Sequence, residues 1–292
     1  MKVLVTGGTG YLGPRLVRRL AEEGHEIFLV GRSGGAQTAA AVFVRADITS
    51  PPEMAAARKA TGPVDLLVHL AAKVPRTPPE DRAGDMTRVN VAGTSSVLET
   101  FGDGLRHVVY GSTVEVYGLP GGTEPITEQQ LPVPLSNYGA SKLAGEYLCR
   151  IFCQRRDISC SMLRFSVMYG RPDPIARAIP RFISKARAGE PVEVYGGEEL
   201  RDYLHVDDAA EAVICAVRAK RTGVYNIGSG KATSVRQAAE AVMEATGSPA
   251  ELHILPRRKK RSDLVVAMSA AREELGYEPS RRFPSGLEAQ LA

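Results

Sequence analysis

Short apolar runs rich in β-branched residues alternate with longer amphipathic stretches through the first half of the chain. Residues 2–6, 26–30, 41–46, 64–70, 106–111 and 158–165 have the length and composition of buried strands. Between them, residues 12–23, 53–60, 87–101 and 137–156 space their apolar positions as helices do. Strict alternation of the two predicts an α/β fold: a doubly wound, parallel Rossmann-type sheet covered by helices on both faces, with ligands at the carboxyl ends of its strands.

Beyond Phe165 the rhythm changes. Pro172, Pro174, Pro180, Pro191 and the pair Gly196-Gly197 punctuate shorter elements, which predicts a smaller C-terminal α/β substrate lobe. Residues 205–220 and 223–227 read as one more helix and strand returning to the main sheet. The expected division is a dinucleotide-binding domain of residues 1–165 and 203–228, with a substrate-binding lobe of 166–202 and 229–292.

Composition narrows the function classes. A chain of 292 residues, 43% hydrophobic and 24% charged, sits in the ordinary globular range. Met1–Thr6 is too short an apolar stretch for a signal peptide and no run reaches membrane-spanning length, so a cytoplasmic protein with no membrane partner is expected. The formal charge of +4 turns negative without Arg257, Arg258, Lys259, Lys260 and Arg261. That run has no interleaved aromatics, so a solvated or anion-facing loop is expected rather than a nucleic-acid surface. Cys149, Cys153, Cys160 and Cys215 lack metal-ligand spacing, and His25, His69, His107, His205 and His253 form no helical ligand pair; no metal site is expected.

The first strand runs into Gly7-Gly8-Thr9-Gly10-Tyr11-Leu12-Gly13 and then a helix. Glycines there let the backbone turn sharply and approach a pyrophosphate, whose charge meets helix N-terminal amides. The second strand ends in Gly31-Arg32, where an NAD-preferring site carries a carboxylate for the ribose hydroxyls. A guanidinium at that position binds a 2′-phosphate in a forked contact, so NADP(H) is expected to be preferred, with NAD(H) possible.

Tyr138 and Lys142 are four residues apart on a predicted helix and share a face. A free phenol has a pKa of about 10. An adjacent ammonium is expected to lower it, so that the tyrosine can exchange a proton with a carbinol oxygen while hydride moves at carbon. Ser112-Thr113 ends the fifth strand and offers a hydroxyl to the same oxygen.

With these motifs assembled, the chain resembles an extended short-chain dehydrogenase/reductase of the nucleotide-sugar epimerase/dehydratase family. The resemblance extends over Asp47-Ile48-Thr49, His69-Leu70-Ala71-Ala72, Asn90-Val91-Ala92-Gly93-Thr94, Ser112–Gly118, Leu163-Arg164, Arg201–Asp208 and Tyr225–Gly230. It implies catalytic roles for Thr113, Tyr138 and Lys142. It implies a cofactor lined by Gly7, Gly10, Tyr11, Leu12, Gly13, Arg32, Asp47, Ile48, Leu70, Ala71, Ala72, Lys73 and Asn90, with Tyr138 and Lys142 also touching it. On the substrate side it implies Thr113, Ser166, Val167 and Arg201, the last aimed at a diphosphate; Val167 stands where the family commonly has Asn. A homodimer formed through the Tyr138 helix and its neighbour is the family expectation.

Within Ser112-Thr113-Val114-Glu115, Val114 replaces an Asp that sugar dehydratases resembling this region often carry, while Glu115 remains as a candidate base. Gly31-Arg32 tips the expectation toward NADPH-dependent reduction of a 4-keto deoxysugar nucleotide. The alternatives are a nucleotide-sugar 4-epimerase, a dehydratase or decarboxylase with transient hydride transfer, and, in another class, a non-catalytic cofactor-sensing or RNA-binding protein.

Overall fold

A computed structural model describes residues 1–292 except 35–39, 120–123, 172, 174, 176, 258–260 and 292. Its first half contains β1 (Lys2–Thr6), α1 (Gly13–Glu22), β2 (Glu26–Gly31), β3 (Val42–Arg45), α2 (Pro51–Thr61), β4 (Leu66–His69), α3 (Ala83–Met86), α4 (Gly93–Phe101), β5 (His107–Thr113), α5 (Asn137–Gln154) and β6 (Ser159–Phe165). The second half adds β7 (Val167–Tyr169), α6 (Ala178–Ala188), β8 (Val192–Tyr195), β9 (Leu200–His205), α7 (Val206–Ala219) and β10 (Gly223–Ile227). It closes with β11 (Ala232–Ser234), α8 (Val235–Thr246), β12 (Leu252–Leu255), α9 (Ser269–Leu275) and α10 (Glu288–Leu291).

Seven strands form one parallel sheet in the order β10-β6-β5-β4-β1-β2-β3. Val3, Leu4 and Val5 of β1 and all of β4 are buried, because helices cover both faces and leave no polar side to alternate toward. One apolar layer joins α1, α7 and α9 to the sheet. The other joins α2, α4 and α5. Strand order reverses between β1 and β4, and ligands of open α/β sheets bind in the crevice such a reversal leaves.

The remaining strands build the smaller lobe as a three-stranded sheet, β11-β9-β7, and a two-stranded pair, β12-β8. Its core gathers Tyr169, Phe182, Tyr203 and Phe283 with aliphatic residues of α6 and α8. β9 leads straight into α7, and β10 then pairs with β6 in the main sheet, so the chain enters the lobe and returns.

One predicted helix is divided. Residues 87–101 hold a π-helical turn, Thr87–Ala92, ahead of α4. Wide turns of this kind recur at functional sites. Here the turn carries buried Asn90, whose amide donates to the Lys73 carbonyl (3.0 Å) and Ser141 Oγ (2.9 Å) while its oxygen accepts from the Lys73 N–H (2.7 Å).

Candidate active site

The glycine turn after β1 packs on the backbone leaving β4. Gly7 has φ of +75°, and a Cβ there would lie 2.6 Å from the Ala71 nitrogen, so both its conformation and its neighbour require glycine. A Cβ on Gly13 would lie 2.2 Å from the Gly8 carbonyl oxygen, which lets α1 begin directly on the turn. Leu12 at the cap position offers no side-chain acceptor to the first-turn amides. By contrast Ser136, His205 and Ser234 cap α5, α7 and α8 with their own side chains. Pro14 has no N–H and the Leu16 N–H donates to the Leu12 carbonyl, so the Gly13 and Arg15 amides, without a side-chain cap and beside a tight glycine turn, are the ones that fit the pyrophosphate of a dinucleotide.

At the other end of that groove Arg32 is exposed just past β2. Desolvation works to raise the Asp47 carboxyl, but hydrogen bonds from the Thr49 N–H and hydroxyl, with the charge of Arg32, hold it below its usual range. A cation and an anchored carboxylate thus flank the place expected for an adenosine ribose. Lys73 is tied to Asn90, and Tyr11 donates to the Gly170 carbonyl at 2.8 Å, joining the turn to the segment after β7.

β5 ends in two hydroxyls with different fates. Ser112 donates to Glu146 Oε1 at 2.5 Å; Glu146 forms a buried ion pair with Arg164, which donates to the Tyr117 hydroxyl, which in turn donates to Asn226. Thr113 accepts only a 3.3 Å bond from the Glu115 N–H among the described contacts, so its proton remains available. Glu115 meets the first turn of α5: Ser136 Oγ donates to its carboxylate at 3.1 Å, and a Cβ on Gly139 would lie 2.8 Å from its carbonyl oxygen. This contact sets the end of β5 against the turn that carries Tyr138.

Electrostatics here depart from the expected phenol–ammonium coupling. Burial pushes the Tyr138 hydroxyl above its ordinary value, the charge of Glu115 adds to the rise, and Arg177 opposes it. The rise stands although the Lys142 ammonium lies one turn along the same helix. The ammonium is buried instead with its Nζ 4.1 Å from the centre of the Tyr110 ring, and desolvation lowers its pKa to about 8. Helical spacing put the two residues on one face but could not say what the lysine head would meet. Desolvation by its neighbours also raises the Glu115 carboxyl, against the Ser136 hydrogen bond and Arg177, although the residue as a whole keeps contact with solvent.

On the substrate side, Ser166 donates to the Asp202 carbonyl at 2.8 Å and Val167 is half-buried. Arg201 is tethered to the carbonyls of Leu200 and Ser262, which fix its position without neutralising its charge. Of the basic run, Arg257 pairs with Glu198 and Glu199 and Arg261 with Asp263; Arg258, Lys259 and Lys260 lie outside the described residues. No group of three or more potential metal ligands occurs among the described residues. No described helix is long and apolar enough to cross a membrane.

Residues 3–228 match the model of the NAD-dependent epimerase/dehydratase family. The chain belongs to that family. A UDP-glucose 4-epimerase of Streptomyces lividans is 33% identical over 96% of this chain and 92% of its own. Among solved structures, the UDP-glucose 4-epimerase of Thermotoga maritima with UDP-glucose superposes with a TM-score of 0.90 at 30% identity, covering 100% and 97% of the two chains. The UDP-glucose 4-epimerase of Thermus thermophilus, in complex with NAD, gives 0.89 at 28% identity over 100% and 98%. In this member of the family, two charged groups near Tyr138 escaped the sequence reading. Asp81 accepts the N–H groups of Asn137 and Tyr138, and Arg177, at the cap of α6, acts on both Tyr138 and Glu115. Neither carries a local signal, since one is 57 residues from Tyr138 and the other lies in the opposite lobe.

Proposed function

We propose that this chain is a nucleotide-sugar 4-epimerase that uses a bound nicotinamide dinucleotide. The observation that carries the reading is the meeting of a free Thr113 hydroxyl, the Glu115 turn and the Tyr138 turn at the carboxyl edge of β5, in the same parallel sheet whose β1 leads into the uncapped N-terminus of α1. A dinucleotide would be held by Gly7, Gly10, Tyr11, Leu12 and Gly13, along Asp47, Ile48, Leu70–Lys73 and Asn90, and would supply the hydride acceptor and donor.

The chain's own residues manage protons and orientation. Tyr138 takes the proton of the sugar hydroxyl as the carbinol carbon is oxidised and returns it when the carbon is reduced from its other face. Thr113 donates a hydrogen bond to the same oxygen as negative charge develops there. Lys142 supplies a buried positive charge from the same helix, and a positive charge favours phenolate. Val114 is 2% exposed and has no proton to give, which disfavours a dehydratase that needs an acid at this position. We assign the nucleotide and sugar to the smaller lobe, with Ser166, Val167 and Arg201 along it, and a second copy of the chain to the outer face of α5, where Tyr147 and Ile151 are exposed.

A second reading rests on Gly31-Arg32. The exposed guanidinium beyond β2 favours NADP(H), and a net reductase of 4-keto sugar nucleotides draws on that pool. Incubating the protein with UDP-glucose and UDP-galactose, with NAD or NADP, tests the first. Interconversion of the two sugars without change at 340 nm is expected. Stoichiometric loss of NADPH with a 4-keto sugar nucleotide would establish the reductase instead.

A further inference from the structure

Helix α5 places the candidate acid–base tyrosine on its first turn, where backbone N–H groups have no partner within the helix. Each is satisfied. Gly139 N–H donates to Ser136 Oγ at 2.9 Å, and the regular helical ladder begins with Ala140 N–H on the Ser136 carbonyl at 3.0 Å. The other two donate to one carboxylate from a distant segment: Asn137 N–H to Asp81 Oδ2 at 2.9 Å and Tyr138 N–H to Asp81 Oδ1 at 2.8 Å. The Asn137 side-chain amide closes the grip by donating to the Asp81 carbonyl at 2.6 Å.

The segment that delivers Asp81 begins at the cofactor groove. Lys73 is bound through both its N–H and its carbonyl to Asn90. Between Lys73 and Asp81, Glu80 staples the segment by accepting from the Arg76 N–H and the Thr77 hydroxyl at 3.3 Å each and by pairing with the Lys73 ammonium at 3.6 Å. One end therefore moves with the groove wall beside Gly7, and the other holds the backbone of Tyr138.

We propose that Asp81 is a positioning residue: its bidentate grip on the Asn137 and Tyr138 amides sets the phenol in register with the nicotinamide end of the cofactor groove. A carboxylate suits this task, because two acceptor oxygens match two adjacent N–H groups and its charge is favourable at a helix N-terminus. The inference rests on Tyr138 being the acid–base group of the proposed epimerase. Displacement of a reacting group by about 1 Å costs on the order of 100-fold in rate.

The test compares Asp81→Ala and Asp81→Asn with the wild type in sugar interconversion, alongside hydrogen exchange of the peptide spanning residues 136–148. Expected for Asp81→Ala is a kcat lower by roughly 10- to 100-fold with a nearly unchanged KM, and faster exchange at the start of α5. Asparagine keeps one acceptor oxygen, so Asp81→Asn recovers part of the lost kcat at the same KM. Wild-type kcat in the alanine variant, or a rise in KM that accounts for the whole loss, overturns the proposal. If the wild type itself interconverts no sugar nucleotide, the epimerase reading has failed separately; unchanged exchange in Asp81→Ala would then remove the grip as well.

Discussion

Lys142 Nζ lies 4.1 Å from the centre of the Tyr110 ring, so the buried ammonium faces an aromatic surface. Burial lowers its pKa to about 8 from 10.5, which means the folded protein holds this charge at a cost. Below pH 8 both folded and unfolded chains are protonated and the cost is present in full. Between about 8 and 10.5 the unfolded chain binds the extra proton, so stability rises with pH there. Lys142→Met should therefore abolish turnover yet stabilise the fold at pH 7 by on the order of 1–3 kcal/mol. Urea unfolding at pH 7 and pH 10 checks it: the advantage should shrink at the higher pH.

Tyr138→Phe removes only the proton-carrying oxygen. Turnover should fall by roughly 100- to 10,000-fold. Cofactor affinity, read by isothermal titration, should stay near that of the wild type, and a variant with normal turnover would eliminate the acid–base assignment.

Glu115 raises the Tyr138 pKa by its charge, while Arg177 opposes that rise. Neutralising the carboxylate in Glu115→Gln lowers the phenol's pKa, so the rising limb of kcat against pH should move to lower pH. A pH profile identical to that of the wild type would show that Glu115 and Tyr138 are not coupled during turnover.

Arg32, in the turn after β2, is the residue proposed to meet a 2′-phosphate. Replacing it by Asp should weaken NADP binding by about 10- to 100-fold through loss of a charge-assisted contact and the carboxylate's repulsion, and should favour NAD. Titration of both dinucleotides against both proteins measures the switch. Equal affinities in the variant and wild type would remove the NADP preference.

The Glu146–Arg164 pair is buried, each partner 5% exposed, with bonds of 2.9 and 2.7 Å. Arg164→Met strands the carboxylate and should cost about 3–5 kcal/mol, whereas the double variant Glu146→Leu/Arg164→Met should recover much of that loss. Chemical denaturation of the three proteins reads the difference.

Much of this molecule was legible along the chain because the relevant signals are local. Alternating apolar runs reproduce β1 through β6 and α1, α2 and α5 to within a few residues, since a sheet buried on both faces needs continuous apolar strands. The glycine turn and the spacing of Tyr138 and Lys142 are equally short-range, and both lie where the pattern put them. Tertiary contacts decided the rest. Whether Ser112 or Thr113 keeps a free hydroxyl depends on Glu146, 34 residues from Ser112. What the Lys142 ammonium meets depends on Tyr110 in a neighbouring strand, and what holds the Tyr138 backbone depends on Asp81, 57 residues away. A spacing pattern records which face a side chain leaves from; the partners, dielectric surroundings and charges waiting there are set only when distant segments close around it.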